Sequence, residues 1–399
     1  LPSHDSSLKQ SFERNVYSRN CSIFAAFVDI RLSPLEFRDL SSHAFAMSSS
    51  EREEKLIARI KEWTASSFIG DDCAVLPGWG LVSSDNLIEG THFRLDWTDL
   101  LSLGWKACAV NLSDIAAMGG MPRYMTISLA LPVYIGESEL RQFYLGFTDC
   151  AARYRTRIAG GDLTRGDRFM IAVTVMGDSH SAGVMRRSGA RPGDVVFVSG
   201  SFGDSGCALS LISRQGFELA QSGEPPPSLG YGSLPLSLFR PGTPSSQLLS
   251  RHFRPVPRLE TGWSVVSATG GQGSLMDSSD GLGDCLVQIA RASSVGMAID
   301  LEAVPVSEAV WQYSRQWQHD PLAFAFYGGE DYELVGTMPP ALFEKLREVA
   351  PASVPLTAIG RVVEASEGRQ AVRFYENGKP SSRLGGFADM KNCFQHFGG

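Results

Sequence analysis

The stretch LMDSSDGLGDCL, from Leu275 to Leu286, gathers Asp277, Asp280 and Asp284 beside serines and glycines and between apolar runs. Unpaired carboxylates are costly to bury, so something positive must stand near them. Five further acidic, glycine-bearing segments punctuate the chain: GDDCAVL (70–76), SSDNLIEGTHF (83–93), VNLSDIAAMGG (110–120), GGDLTRGD (160–167) and YGGEDYEL (327–334). One alone is an ordinary turn, since Asp and Gly suit turns for local reasons. Six of them at strand ends offer carboxylates, hydroxyls and glycine-exposed amides. Those groups are oxygen ligands for Mg²⁺ and amide donors for phosphate. The chemistry they point to is phosphoryl transfer from a metal–nucleotide complex. Asp284, followed by CLVQIA, instead fits the first turns of a helix, where negative charge is favourable.

The elements that must position these loops alternate. GLVSSDNLIEGTHF reads as a strand running into an acidic loop, and LLSLGWKACAVNLSDIAAMGG as a helix. YMTISLALP and RFMIAVTVMGD read as strands, with the amphipathic helix ESELRQFYLGFTDCAARY between them. This order indicates a mixed α/β (α+β) fold. Residues 1–46 are polar and aperiodic and read as a poorly ordered N-terminal extension. From Met47, SSSEREEKLIARIKEW reads as a cap and a helix with Leu56, Ile57, Ile60 and Trp63 at helical spacing. A first domain is expected over 47–182 and a second over 183–399, with a Pro/Ser/Gly-rich surface insertion at 212–250.

Composition narrows the class. The 399 residues are 43% hydrophobic and 20% charged, with a formal net charge of −7, so no global basic footprint for nucleic acid exists. No apolar run has the length to cross a bilayer. The seven cysteines are scattered, without CxxC, which fits a reducing, cytoplasmic compartment better than a disulfide framework or a zinc site. There is no GxxxxGK[ST] P-loop and no HRD or DFG kinase set. GDSG at 203–206 resembles part of a serine-protease site, but the mixed fold and the lack of a partnered His make it a loop entering a helix.

The ordered motifs GDDCAVL, SSDNLIEGTHF, AVNLSDIAAMGGMP, GGDLTRGD, RRSGARPGD, HFRPVPR, MDSSDGLGDCL and YGGEDYELV closely resemble those of the thiamine-monophosphate kinases. These belong to the aminoimidazole-ribonucleotide synthetase-like superfamily, and the resemblance covers roughly residues 66–397. It implies a two-domain subunit, a homodimer formed by pairing of N-terminal sheets, and ATP-dependent conversion of thiamine phosphate to thiamine diphosphate. Position by position, Asp72, Ser83, Ser84, Asp85, Asp114, Asp162, Asp277 and Asp280 resemble the family's magnesium ligands. Gly161, Asp162, Arg187, Ser279 and Tyr144 resemble its ATP contacts. His92, Glu330 and a C-terminal aromatic, Phe394 or Phe387, resemble its substrate contacts. Two departures stand out: Ser84 replaces a frequent Thr, and CFQHF stands where a G-aromatic-D-H-F pattern is usual.

The acceptor implied is a phosphate monoester with a second pKa of about 6, largely dianionic at neutral pH. It needs no strong general base and no covalent enzyme intermediate. What it needs is charge neutralisation and in-line alignment, with several Mg²⁺ ions and Arg187 at the phosphates. Two alternatives remain: another ATP-using enzyme of the superfamily, or a non-catalytic nucleotide-binding protein. A selenophosphate synthetase would carry a reactive Cys near a Gly-rich N-terminal segment, and none is evident.

Overall fold

The computed structural model describes residues 49–222, 236–349, 354–365 and 371–384. The extension expected over 1–46 and both candidate aromatics, Phe387 and Phe394, lie outside the described residues. The chain enters through helix α1 (Ser49–Thr64), where Leu56, Ile57, Ile60 and Trp63 are exposed. Among the described residues no helix is long and apolar enough to cross a membrane.

The first half is built from β1 (Ala74–Leu76), β2 (Gly80–Ile88), α2 (Leu100–Ala117), β3 (Met121–Leu131), α3 (Glu137–Arg153), β4 (Arg157–Arg165) and β5 (Met170–Asp178). The strands form one sheet in the order β1-β2-β5-β3-β4. Only β3 and β4 run parallel, because α3 crosses over between them; the other neighbours are antiparallel. In β5 the alternating Ile171, Val173 and Val175 are buried, and α2 packs on that face. Asp99 caps α2, its carboxylate accepting from the Ser102 amide at 2.7 Å. Helices α2 and α3 meet backbone to backbone. A Cβ on Gly104 would stand 1.9 Å from the Phe143 carbonyl, and one on Gly146 1.7 Å from that of Leu101. Only glycine fits at both points, and the contact fixes the height of α2 above the sheet.

The segment GGDLTRGD, expected as a loop, is mostly strand β4. All nine residues of β4 are exposed, so neither face carries an apolar alternation from which a strand could be read. Gly161 is needed there, since a Cβ would stand 1.8 Å from the Ile127 carbonyl of β3.

The second half comprises β6 (Val195–Ser199), α4 (Asp204–Ser222), α5 (Pro244–Phe253), α6 (Leu259–Thr269), β7 (Ser274–Asp277), α7 (Leu282–Ser293), β8 (Gly296–Asp300), α8 (Glu308–Trp317), α9 (Pro321–Tyr327), β9 (Leu334–Met338), α10 (Pro340–Val349), β10 (Leu356–Val363), β11 (Val372–Glu376) and β12 (Lys379–Ser381). Its strands order as β12-β11-β8-β10-β6-β9-β7. The two halves share a core in which Leu112 and Ile115 of α2 and Met118, its C-cap, cluster with Val265 and Val266 of α6 and Leu275 of β7. The span 212–250, expected as a surface insertion, is core at both described ends. Ile212 of α4 and Leu248 and Leu249 of α5 are buried together with Val310 and Tyr313 of α8. The Pro, Ser and Gly content of the intervening stretch masks these apolar helical positions.

Candidate active site

Asp72, just before β1, Asp114 on α2 and Asp277 at the end of β7 converge until one carboxylate oxygen of each lies within 4.8 Å of the others. Three elements from both halves of the chain are needed to build this cluster. Ser83 faces it from β2, donating to Asp114 Oδ2 at 2.6 Å. Asp85, two residues on and so on the same strand face, is tied down by Asn111 of α2, whose side-chain oxygen accepts the Asp85 amide at 3.3 Å. Asp280 follows in the loop between β7 and α7.

Positive charge in the cluster is scarce. Arg187 Nη2 donates to Asp72 Oδ1 at 2.7 Å and its Nη1 to Gln288 Oε1 at 2.7 Å. Burial disfavours the Arg187 charge, but Asp72, Asp277 and Asp114 outweigh it and hold the guanidinium protonated. Asp72 Oδ2 is buried and has no hydrogen-bond partner among the described residues. Burial, then repulsion from Asp72, pushes the Asp277 carboxyl up to about 7. Burial and repulsion from Asp85, Asp277 and Asp72 push Asp114 well above the usual carboxylate range, despite the bond from Ser83. An orphaned carboxylate oxygen and mutually repelling neighbours fit a hard divalent cation with oxygen ligands.

A second feature adjoins the cluster. A cavity of about 360 Å³ is lined by His92, Trp97, Lys106, His252, Phe253 and Glu330, among others. Glu330 follows Gly328 and Gly329 and holds φ at +57°, a conformation uncommon for a non-glycine residue. Its amide donates to the Ser279 carbonyl at 2.6 Å, which fastens the cavity wall to the loop bearing Asp277 and Asp280. Its carboxylate pairs with the buried Lys106 ammonium at 2.8 Å. Burial pushes the Glu330 carboxyl up, but Lys106, His252 and His92 outweigh it and hold it below its usual value. His92 Nδ1 accepts the Ile88 amide at 3.0 Å. Burial, reinforced by the Lys106 charge, lowers His252 to about 3, so this imidazole is neutral.

The structure thus brings Asp72, Ser83, Asp85, Asp114, Asp277, Asp280, Ser279 and Arg187 to one region, with His92 and Glu330 in the adjoining cavity. Four residues depart from the expected set. The Ser84 hydroxyl points the other way, donating to the Val173 carbonyl at 3.0 Å and accepting from Thr174 at 3.1 Å. Adjacent strand residues take opposite faces, so Ser83 and Ser84 cannot both turn their hydroxyls to the cluster. Gly161 and Asp162 lie on β4, three strands from β2, about 14 Å away at about 4.8 Å per strand. Tyr144 is a half-buried residue of α3 whose ring edge meets Phe143, with centroids 5.5 Å apart.

Sequence reasoning passed over Lys106, His252 and Trp97. Lys106 carried a signal, a lone charge amid the apolar text of LLSLGWKACAV. His252 opens the HFRPVPR motif, whose residue types alone do not point to the cavity. In the GDSG loop, Ser205 Oγ lies 2.9 Å from His252 Nδ1, yet the same nitrogen faces Glu330 Oε2 at 3.4 Å. A relay needs both ring nitrogens, and Ser205 is only 1% exposed, so this is no nucleophilic triad. As expected, GDSG runs into a helix, α4.

This arrangement, acidic loops from two α/β halves meeting beside a cavity, defines the class: residues 70–178 match the AIR synthase related protein N-terminal domain and residues 191–372 its C-terminal domain. Thiamine-monophosphate kinase of Bacillus subtilis is 34% identical over 307 residues, 75% of this chain and 86% of that protein. The enzyme of the same name from Escherichia coli K12 is 34% identical over 340 residues, 82% of this chain and 94% of that one. Among solved structures, AaThiL complexed with AMPPCP and TMP superposes with a TM-score of 0.67 at 31% identity, covering 86% of this chain and 99% of that one. The chain belongs to the thiamine-monophosphate kinase family.

Proposed function

We propose that the protein transfers the γ-phosphoryl group of ATP to the phosphate of thiamine phosphate, giving thiamine diphosphate and ADP. The observation that carries this reading is the under-neutralised Asp72–Asp114–Asp277 cluster beside a cavity that holds both His92 and Glu330. Asp72, Asp114 and Asp277, with Ser83, Asp85 and Asp280 around them, would hold Mg²⁺. Bound there, Mg²⁺ supplies charge neutralisation for the phosphates of nucleotide and acceptor. Arg187 adds a fixed guanidinium at the nucleotide phosphates and Ser279 a contact beside them. Glu330 sets a carboxylate against the cationic ring of the acceptor, and His92 turns its imidazole to the same cavity. The acceptor oxygen is already an anion, so transfer is direct and in line, with no phosphorylated protein.

The remaining assignments follow the same reading. Two copies are proposed to pair through the first sheet, where Met121, Tyr124, Ile158, Leu163 and Met170 are exposed apolar residues. Gly161 and Asp162, on the outermost strand, then act at the site only as part of that pairing, and Tyr144 and Ser84 stand in supporting positions. ATP use and the free thiols of Cys73, Cys108, Cys150, Cys207 and Cys285 fit a cytoplasmic setting. The test is incubation with Mg-ATP and thiamine phosphate, followed by chromatographic separation. Thiamine diphosphate and ADP in equal amounts support the reading. ADP without thiamine diphosphate, or nucleotide binding without turnover, refutes it.

A further inference from the structure

Lys106 is a buried lysine, 3% exposed, that the cation cluster does not use. It sits in the interior of α2, eight residues before Asp114. That separation is about 12 Å along the helix and about 80° around it, so one helix presents both groups to the same side. The ammonium lines the cavity and pairs with Glu330 Oε1 at 2.8 Å. Glu330 is fastened through its amide to the Ser279 carbonyl, so the pair stands at the end of the cavity joined to the Asp277–Asp280 loop. Arg94 also lines the cavity, but its guanidinium is held by both oxygens of Asp96, at 2.9 and 2.6 Å, and over the Trp97 ring. Among the described lining residues, Lys106 is therefore the cation on the cavity wall that Glu330 fastens to the Asp277–Asp280 loop.

A buried lysine–carboxylate pair is seldom retained for stability, because desolvation offsets most of the attraction. Resting on the proposed substrate, its chemistry has a simpler use. Thiamine phosphate carries a fixed positive ring and a dianionic phosphate. We propose that the Lys106–Glu330 pair is the electrostatic counterpart of this zwitterion, with the Lys106 ammonium binding the acceptor phosphate and the Glu330 carboxylate facing the ring. An ammonium has three donors, so it can keep Glu330 while taking a phosphate oxygen. The pair also keeps Glu330 from repelling the incoming phosphate.

The experiment compares calorimetric Kd values for thiamine phosphate and for thiamine, which lacks the phosphate, in the presence of Mg²⁺ and a non-hydrolysable ATP analogue. Wild type, Lys106→Met, Glu330→Gln and the double variant are measured, each with its melting temperature. Lys106→Met is expected to weaken thiamine phosphate tenfold or more and thiamine less than threefold. The double variant, which leaves no buried charge unpaired, is expected to keep the weak phosphate binding; it carries the comparison where the single variant does not fold. Equal weakening of both ligands in Lys106→Met, or recovery of wild-type preference in the double variant, overturns the proposal, since Lys106 then only neutralises Glu330. Wild-type protein that binds neither ligand overturns the substrate reading itself, a distinct result.

Discussion

Two buried acidic sites in this chain contain the same kinds of residue and opposite accounts of charge. In the second half Glu333 is fully buried and saturated. It accepts from Arg258 through both oxygens, from Arg251 Nη2 at 2.6 Å and from Ser199 Oγ at 2.6 Å. In the Asp72–Asp114–Asp277 cluster three carboxylates face one guanidinium, that of Arg187, and a buried Asp72 oxygen has no partner among the described residues. The first arrangement is complete without a ligand and serves the fold: it ties β6, β9, α5 and the start of α6 together just after Glu330. The second lacks such partners, which is what the proposed binding of cations and phosphates would supply. Saturation, not acidity, separates a structural carboxylate from a binding one.

That contrast is broken or sharpened by substitution. Arg258→Met leaves a buried carboxylate short of a partner, and about 3–5 kcal/mol of stability should be lost. Thermal unfolding would show this, and an unchanged melting temperature would remove the distinction. In the cluster, Asp277→Asn should do the reverse. Relief of repulsion should keep or raise the melting temperature of the metal-free protein, while kcat falls about 100-fold or more through loss of a cation ligand. Near-normal turnover at saturating Mg²⁺ would exclude Asp277 as a primary ligand. Glu330→Gln should raise KM for thiamine phosphate about tenfold and KM for ATP far less. Equal changes in both would assign Glu330 to the metal or to folding.

The smallest effect concerns pH. Asp331 accepts the amides of Gly203 and Ser205 at 2.7 and 3.1 Å, and burial pushes its carboxyl up to about 7. The folded state therefore holds this proton more tightly than the unfolded chain. The stability it contributes is fully present below about pH 4 and is lost as pH rises through 7. Asp331→Asn should flatten the fall in melting temperature between pH 5 and pH 8. A slope equal to the wild type's would show that Asp331 does not carry it.

The sequence made the site's chemistry legible before its geometry. Acidic, glycine-bearing segments declared oxygen ligands, and Asp72, Asp114 and Asp277 do meet. Within MDSSDGLGD, Asp284 lies in the first turn of α7, as expected. What composition could not supply was facing and distance. Ser83 and Ser84 look equivalent as text, but strand alternation separates their hydroxyls. GGDLTRGD reads as a loop because an exposed edge strand has no buried face to impose a pattern. The ends of the 212–250 segment were hidden by the Pro, Ser and Gly between them. Lys106 was passed over because its meaning depends on Glu330, 224 positions away in sequence and 2.8 Å away in space.

The central claim is that the unsaturated cluster is where phosphoryl transfer occurs. It is tested most directly by single-turnover transfer from γ-labelled ATP to thiamine phosphate, in wild type and Asp114→Asn, with and without Mg²⁺. The account predicts label passing straight to thiamine diphosphate in the wild type with Mg²⁺, no labelled protein at any time, and little transfer by a folded Asp114→Asn variant. Label on the protein before product, or undiminished transfer by Asp114→Asn, would contradict it.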